Sequence, residues 1–319
     1  MSRAQSKPRI IVKYGDGTYD LTEFVDRHPG GAEVLQSANG ANVDFYLTGE
    51  KASQVGDKAH EHSKNAYRML DECRIADSEA NAKDRADIDF GQPALAQLAM
   101  VGHRYWDWIH EPVGRDLRLF HSDLLESLTK TSWYVVPAIW LPVSAVLWLV
   151  GWRMFAQKLD AYTASFVSAV MAGVGVLAWT LTEYLLHRFL FHWRPDGTVR
   201  WQALVHFLMH GLHHKTPMDQ KRLVFPPFPA ALIMSMFLVV YLLVLPLPVL
   251  FTFGPGQMLG YVGYDMIHYF LHHGRFDKRS AWQRKKMYHN AHHFKNYDLG
   301  FGISTDLWDH IFDTVGLPG

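Results

Sequence analysis

The chain has 319 residues, with 31 Lys and Arg against 31 Asp and Glu, 49% hydrophobic residues and 14% aromatic residues. Zero formal charge with this apolar content excludes a disordered tail protein and a generic binder of phosphate backbones, so nucleic acid is not an expected partner. The single cysteine, Cys73, excludes a disulfide scaffold and any thiolate-rich zinc or iron–sulfur site. Histidine is the unusual residue: of 19 copies, 13 fall between His187 and His310. Metal chemistry is the first expectation.

Residues 8–75 alternate short apolar runs with turn residues: Ile10-Ile11-Val12, Gly15-Asp16-Gly17, then Tyr19-Asp20-Leu21. The pattern predicts a small α+β domain. Within it, Tyr19 to Phe24 leads to His28-Pro29-Gly30-Gly31 and a helical stretch from Ala32 to Ser37. Pro29 ends any preceding helix, and the two glycines let backbone approach a bulky ligand while His28 projects from a rigid turn. A neutral imidazole so held is a good axial ligand for haem iron.

This stretch resembles the cytochrome b5 family, whose haem turn reads His-Pro-Gly-Gly after a lead-in containing aspartate and phenylalanine. The resemblance implies haem b and a second axial histidine at a helix start. His62-Ser63-Lys64-Asn65-Ala66 fits, with His60 as the rival. Iron with two protein ligands has no open position for oxygen, so this domain should carry electrons.

Residues 76–101 are expected to form a linker, polar from Ala76 to Gln92. The stretch from Gly102 to Thr131 contains Tyr105, Trp106, Trp108 and Phe120, and is expected to lie along a membrane surface or to clasp the two domains. It opens the second domain, residues 102–319.

A mean hydropathy of -0.08 averages a polar front with a very apolar remainder. Uncharged runs lie between Lys130 and Arg153 and between Asp160 and Glu183, each long enough to cross about 30 Å of hydrocarbon as a helix. A third, from Leu223 to Tyr264, is interrupted by Pro246, Pro248 and Gly254-Pro255-Gly256, which predicts a helical hairpin with its turn at the glycines. The expected spans are 132–152, 162–186, 230–250 and 257–272, within an all-α integral membrane domain. Buried helices of a soluble bundle would explain one such run, but not three together. Trp133, Tyr134, Trp148 and Trp152 fit an interfacial belt. Lys and Arg concentrate in 188–222 and 275–295 and are missing around Gly254, which predicts that the former face the cytosol, as do both termini. The first ten residues have no apolar core, so the first membrane helix is expected to direct insertion.

Four histidine clusters lie at the expected cytosolic helix ends or in the basic segments. His187 and His192 are five apart, roughly 140° on an ideal helix, so the helix must loosen near His192 for both to reach one site. His210, His213 and His214, and likewise His289, His292 and His293, follow an i, i+3, i+4 spacing that places three imidazoles on one helical face. His268 and His272 are four apart. Ten donors suit two metal ions with roughly four to six ligands each, leaving positions for water, oxygen or substrate. Burying ten imidazoles without metal would leave many polar nitrogens wanting partners. Glu183 and Asp265 stand four and three residues before His187 and His268, positioned either to accept the other ring N–H or to serve as surface acids. His206, His273 and His121 are left outside the ligand set.

With these clusters, Arg118 to Asp123, Arg222-Leu223-Val224-Phe225-Pro226-Pro227, Tyr264-Asp265-Met266 and Gly300 to Thr305 occur in order along the chain. The whole resembles the fatty acid 2-hydroxylase family, in which a cytochrome b5 domain is fused to a membrane hydroxylase of the sterol desaturase/fatty acid hydroxylase superfamily. The resemblance implies that the ten histidines are dimetal ligands and catalytic residues. Tyr288 before His289 departs from the family's usual paired-histidine run. It further implies an endoplasmic reticulum membrane enzyme that hydroxylates C2 of long-chain fatty acids or of the ceramide acyl chain with O2. NAD(P)H electrons would enter through cytochrome b5 reductase and the haem. Imidazole suits iron and zinc alike, but only a redox-active ion explains a fused haem domain. Arg188 and Lys215 are candidates to meet the substrate's carboxyl end. Two alternatives stand beside this reading: a cytochrome b5-fused desaturase, whose last box typically begins with glutamine where this chain has His289, and a non-enzymatic haem- or metal-handling membrane protein.

Overall fold

A computed structural model of the chain describes residues 9–51, 61–75 and 88–316. At the front, β1 (Ile11–Tyr14) pairs antiparallel with β2 (Gly17–Asp20), Ile11 opposite Asp20 and Tyr14 opposite Gly17. That register leaves Gly15 and Asp16 as the turn, and Gly15 adopts φ 51°, which glycine takes without strain. Alternation points Val12 and Tyr19 inward, where they meet Ile10, Leu21, Val25 and Leu70 in a small core. A 3-10 turn, Val25–Arg27, delivers the chain to His28, and α1 (Ala32–Ser37), α2 (Asp44–Leu47) and α3 (Lys64–Asp71) follow. Ser63 caps α3 by accepting the Ala66 N–H. The expected small α+β unit is present.

Residues 76–87 lie outside the described residues. From Ile88 onward, the remainder of the expected linker is folded. Ile88 and the buried residues of α4 (Ala94–Val101) pack with α5 (Tyr105–Ile109), Leu117, Leu119 and Phe207 in a second core. Apolar Ala94, Leu98 and Val101 explain why this stretch leaves solvent despite its polar lead-in. Next come α6 (Asp123–Leu128), α7 (Val135–Ala156) and α8 (Ala161–Leu185), the last continued by a π-helical turn, Leu186–Phe191. α9 (Arg200–His206) runs through a second π turn, Phe207–Gly211, into α10 (Leu212–Lys215). The chain closes with α11 (Pro227–Val244), α12 (Leu247–His273), α13 (Ala281–Phe294) and α14 (Leu307–Ile311).

Among the described residues, three helices are long and apolar enough to cross a membrane: Val135–Ala156, Ala161–Phe191 and Pro227–Val244. Phe166, Leu177, Met236 and Leu243 stand exposed on them, a surface suited to lipid. Of the expected belt, Trp133 and Tyr134 are exposed, but the Trp148 and Trp152 indoles donate to Ser168 O and Ser165 Oγ, joining α7 to α8.

The turn expected at Gly254-Pro255-Gly256 is absent. The chain turns instead at Leu245-Pro246, and the three residues lie inside α12. Pro246 and Pro248 stand at the N-cap and in the first turn, where a missing N–H is harmless. The glycines serve packing. A Cβ on Gly256 would stand 2.1 Å from Ala172 O, and one on Gly175 2.2 Å from Phe253 O, so α8 and α12 touch backbone to backbone.

Candidate metal centre and its cavity

The helix does loosen between His187 and His192. In the π turn the His192 N–H reaches the His187 carbonyl at 3.0 Å, five residues back, and the two ring centroids lie 5.0 Å apart. The second π turn carries His210, α10 carries His213 and His214, the last turns of α12 carry His268 and His272, and α13 carries His289, His292 and His293.

All ten converge, and they sort into two groups of five. The first is His187, His192, His210, His214 and His292; the second is His213, His268, His272, His289 and His293. Within each group one ring nitrogen per residue lies within 4.8 Å of the others. Each triplet expected on one helical face therefore straddles two centres: His210 and His214 face the first group while His213 faces the second, and His289 and His293 face the second while His292 faces the first.

The nitrogens are arranged for cations. His187 Nδ1 lies 2.6 Å from Phe301 O and His292 Nδ1 2.8 Å from Leu299 O, so each ring donates there. A neutral imidazole has one N–H, so their Nε2 atoms present lone pairs to the centre. His214 Nε2 lies 3.2 Å from His192 Nε2 and 3.1 Å from His210 Nε2, and His272 Nε2 lies 2.8 Å from His289 Nε2. One proton per ring cannot satisfy all these contacts, whereas a metal ion does. In addition, the buried Nε2 atoms of His213 and His268 have no hydrogen-bond partner among the described residues. Burial holds His213 and His292 down at about 3, leaving the neutral form that ligation requires.

A cavity of about 430 Å³ opens onto both groups, reaching His210, His213 and His268. Its walls are mainly apolar, with Phe191, Leu223, Ile233, Met234 and Phe237 among them, and α11 contributes one side.

Comparison with known proteins bears on this joining of parts. Residues 1–79 match the cytochrome b5-like heme/steroid binding domain, and residues 172–314 match the fatty acid hydroxylase family. The fatty acid 2-hydroxylase of Rattus norvegicus is 38% identical, over 95% of this chain and 90% of that protein. The chain belongs to the fatty acid 2-hydroxylase family. The ceramide very long chain fatty acid hydroxylase SCS7 of Saccharomyces cerevisiae is 34% identical over 93% of this chain and 87% of its own. A solved structure of full-length scs7p, with only the hydroxylase domain visible, matches with a TM-score of 0.67 at 37% identity, covering 76% of this chain and 91% of that one.

Membership in the fatty acid 2-hydroxylase family makes the chain a hydroxylating oxidoreductase with a haem-binding front domain. In this family member, Glu183 and Asp265 do not meet the histidine rings. Glu183 accepts from the Ser304 N–H and hydroxyl and from Trp179 Nε1, while Asp265 accepts from the Phe225 N–H and Tyr261 OH. Both carboxylates anchor incoming loops, and backbone carbonyls of residues 299–301 orient His187 and His292 instead. That loop is fixed by buried Asp309, which accepts from the Phe301 N–H at 2.9 Å and the Gly302 N–H at 2.8 Å. Asp309 carries no motif that marks it in the sequence.

Neither basic candidate lines the cavity. Lys215 is buried with Nζ donating to Trp108 O and Glu111 O, and Arg188 donates to Tyr184 OH. Arg222 lines it, bonded to Asp219 and Glu126. His206, His273 and His121 belong to neither group; His206 Nδ1 lies 2.9 Å from Tyr105 OH. His110 was not singled out by any spacing, yet its ring lies 4.8 Å from that of His214.

In the front domain, the His28 ring stands edge-on to Phe24 with Nδ1 3.2 Å from Gly31 O. A Cβ on Gly30 would come 2.9 Å from His28 Cε1, so glycine leaves that ring its room. His62 precedes the α3 cap, its N–H donating to Leu47 O at 2.9 Å. His60 lies outside the described residues. His28 and His62 each stand at the N-terminal approach to a helix, α1 and α3, and either imidazole could hold haem iron.

Proposed function

We propose that the chain is a multi-pass membrane enzyme that hydroxylates C2 of a long acyl chain, taking electrons through its haem domain. The observation that carries this reading is the apolar cavity ending on His210, His213 and His268. His28 and His62 would hold haem b, and the ten histidines would hold two metal ions as the catalytic centre. When bound, a redox-active pair, iron rather than zinc, supplies the oxygen-dependent replacement of C–H by C–OH. The chain's own part is to hold the ions with neutral imidazoles, to seat the tail among Leu223, Met234 and Phe237, and to exclude water from the reacting end.

The charge of the lining favours an amide-linked acyl chain such as that of ceramide over a free carboxylate. Arg222 is compensated by Glu126 and Asp219, and Glu183 and Asp265 share the walls. Such a lining offers a carboxylate little net attraction.

We assign residues 8–75 to the haem domain and, because Ile88 and α4 pack into the core of α5 and Phe207, 88–319 to the hydroxylase domain in place of the expected 102–319. Read as four crossings, α7, α8, α11 and α12 would bring the metal centre and both termini to one face. The lysines and arginines of 188–222 and 275–295 make that face cytosolic, accessible to a cytochrome b5 reductase at the endoplasmic reticulum. At 27 residues α12 reaches about 40 Å, sufficient to span.

Mass spectrometry of sphingolipids from cells expressing the chain, against cells expressing His214→Ala, tests the activity. A 2-hydroxyl product that depends on His214 is expected. A new double bond, or no lipid change, overturns the reading.

A further inference from the structure

Both elements that carry the front-domain histidines rest on one short segment of the hydroxylase domain, residues 110–116. Arg27, next to His28, donates to Gly114 O at 2.6 Å and pairs with Asp116 at 3.2 Å. Asn65, three residues beyond His62, donates to His110 O at 3.2 Å. On the following turns of α3, Arg68 pairs with Glu111 at 2.8 Å, and the Gly114 N–H donates to Glu72 at 3.2 Å. The seam is charged and partly open to water: the Arg68 and Asp116 side chains are 54% and 56% exposed. Exposed pairs of this kind hold weakly and are screened by salt.

The same segment touches the metal centre from its other side. The His110 ring stacks on Tyr297 with centroids 3.6 Å apart and an interplanar angle of 18°. Its centroid also lies 4.8 Å from that of His214 and 6.1 Å from that of His192, two members of the first histidine group. Trp106 O, 2.8 Å from His110 Nδ1, fixes the ring's orientation.

We propose that residues 110–116 form a reversible dock for the haem domain, and that His110 is the bridging residue through which that domain couples to the first histidine group. This rests on the electron-carrying role proposed above for the haem domain. With haem held by His28 and His62 and iron held by the histidine groups, each transfer would take one electron from ferrous haem, leaving it ferric, and would reduce one ferric ion of the pair to ferrous. Two such transfers serve each turnover, and a flavin-linked NAD(P)H reductase restores the haem each time. His110 and Tyr297 are neither oxidised nor deprotonated; they fill the gap with packed bonded atoms. Weak, exposed pairs let the domain leave the dock to meet its reductase and return.

The test uses the full-length, haem- and metal-loaded chain in detergent. An Arg68→Cys/Glu111→Cys pair should be joined within the chain by a short bis-maleimide spacer that replaces the reach of the two lost side chains, while Cys73, whose thiol burial pushes up to about 11, stays unreactive. Pre-reduced haem, mixed with O2 and ceramide, should reoxidise roughly two- to fivefold more slowly in Arg68→Glu. The swap Arg68→Glu/Glu111→Arg should restore the rate, which a merely structural effect would not. His110→Leu, in preparations of equal metal content, should slow reoxidation while the cross-link still forms. Lack of a cross-link, failure of the swap to rescue, or wild-type reoxidation in His110→Leu each overturns the proposal. Cross-linking is indifferent to the lipid product, so an intact dock without hydroxylation sinks the functional reading alone.

Discussion

His213 and His214 are consecutive in the chain, yet their imidazoles face different nitrogen groups, with ring centroids 6.0 Å apart. His292 and His293 repeat the arrangement at 5.4 Å. Neighbouring side chains on α10 and α13 thus form the wall between the two centres. Single substitutions should separate them. His213→Ala should weaken the second ion and His214→Ala the first, each lowering bound metal from two equivalents toward one, and each abolishing hydroxylated product. Elemental analysis of the purified variants decides it, and full metal content in either variant removes that residue from the ligand set.

Asp309 offers a test at a distance from the ligands. It holds the Phe301 and Gly302 amides and the Thr314 hydroxyl, and the loop it fixes presents the carbonyls that orient His187 and His292. Both of those histidines belong to the first group. Asp309→Asn should therefore lower metal affinity by roughly 10–100-fold at the first centre. The second should be unaffected. Competition against a chelator should give a two-phase release, with the weak phase accounting for half of the metal. A single unshifted phase would remove the orienting role.

The convergence of the ten histidines was legible because repeated i, i+3 and i+4 spacings survive any detail of the fold, and the five-residue gap from His187 to His192 already required the helix to loosen. Assignment to two centres was not legible, since it depends on how α8, α10, α12 and α13 cross. Asp309 and His110 have no spacing signal at all: Asp309 acts through the loop whose Phe301 carbonyl meets His187, and His110 packs against His214, 104 residues away in the chain. The Gly-Pro-Gly stretch misled for a physical reason. The same small residues that make a turn in water allow close helix crossing in lipid, and the local sequence does not distinguish the two.

Gly256 makes that distinction measurable. A methyl group there would meet Ala172 O at 2.1 Å, against backbone that cannot rotate away. Gly256→Ala should push α12 from α8, costing about 1–3 kcal/mol, and should pull His268 and His272 out of register with the histidines after α8. A lowered Tm together with reduced metal content in the second centre is expected. A turn residue would tolerate alanine far better, so an unchanged Tm would count against the helix crossing.

Acid should release a second constraint on the cavity wall. Glu126 accepts the Leu119 and Phe120 amides at 2.9 and 3.1 Å and is bonded to Arg222, which also holds Asp219 and Leu117 O. Burial acts to raise the carboxyl, but the two amides and the guanidinium outweigh it and hold Glu126 down at about 2, from an ordinary 4.5. Because the folded value is the lower one, ionised Glu126 stabilises the protein above about pH 4.5, and this contribution disappears as the pH falls through about 2. Glu126→Gln should be less stable near neutrality by about 3–5 kcal/mol, since it leaves Arg222 partly uncompensated in a buried wall. It should also show a shallower loss of Tm than the unaltered chain between pH 4.5 and 2. Thermal unfolding across that range checks both, and parallel curves would mean that the Glu126–Arg222 pair does not set the acid limit.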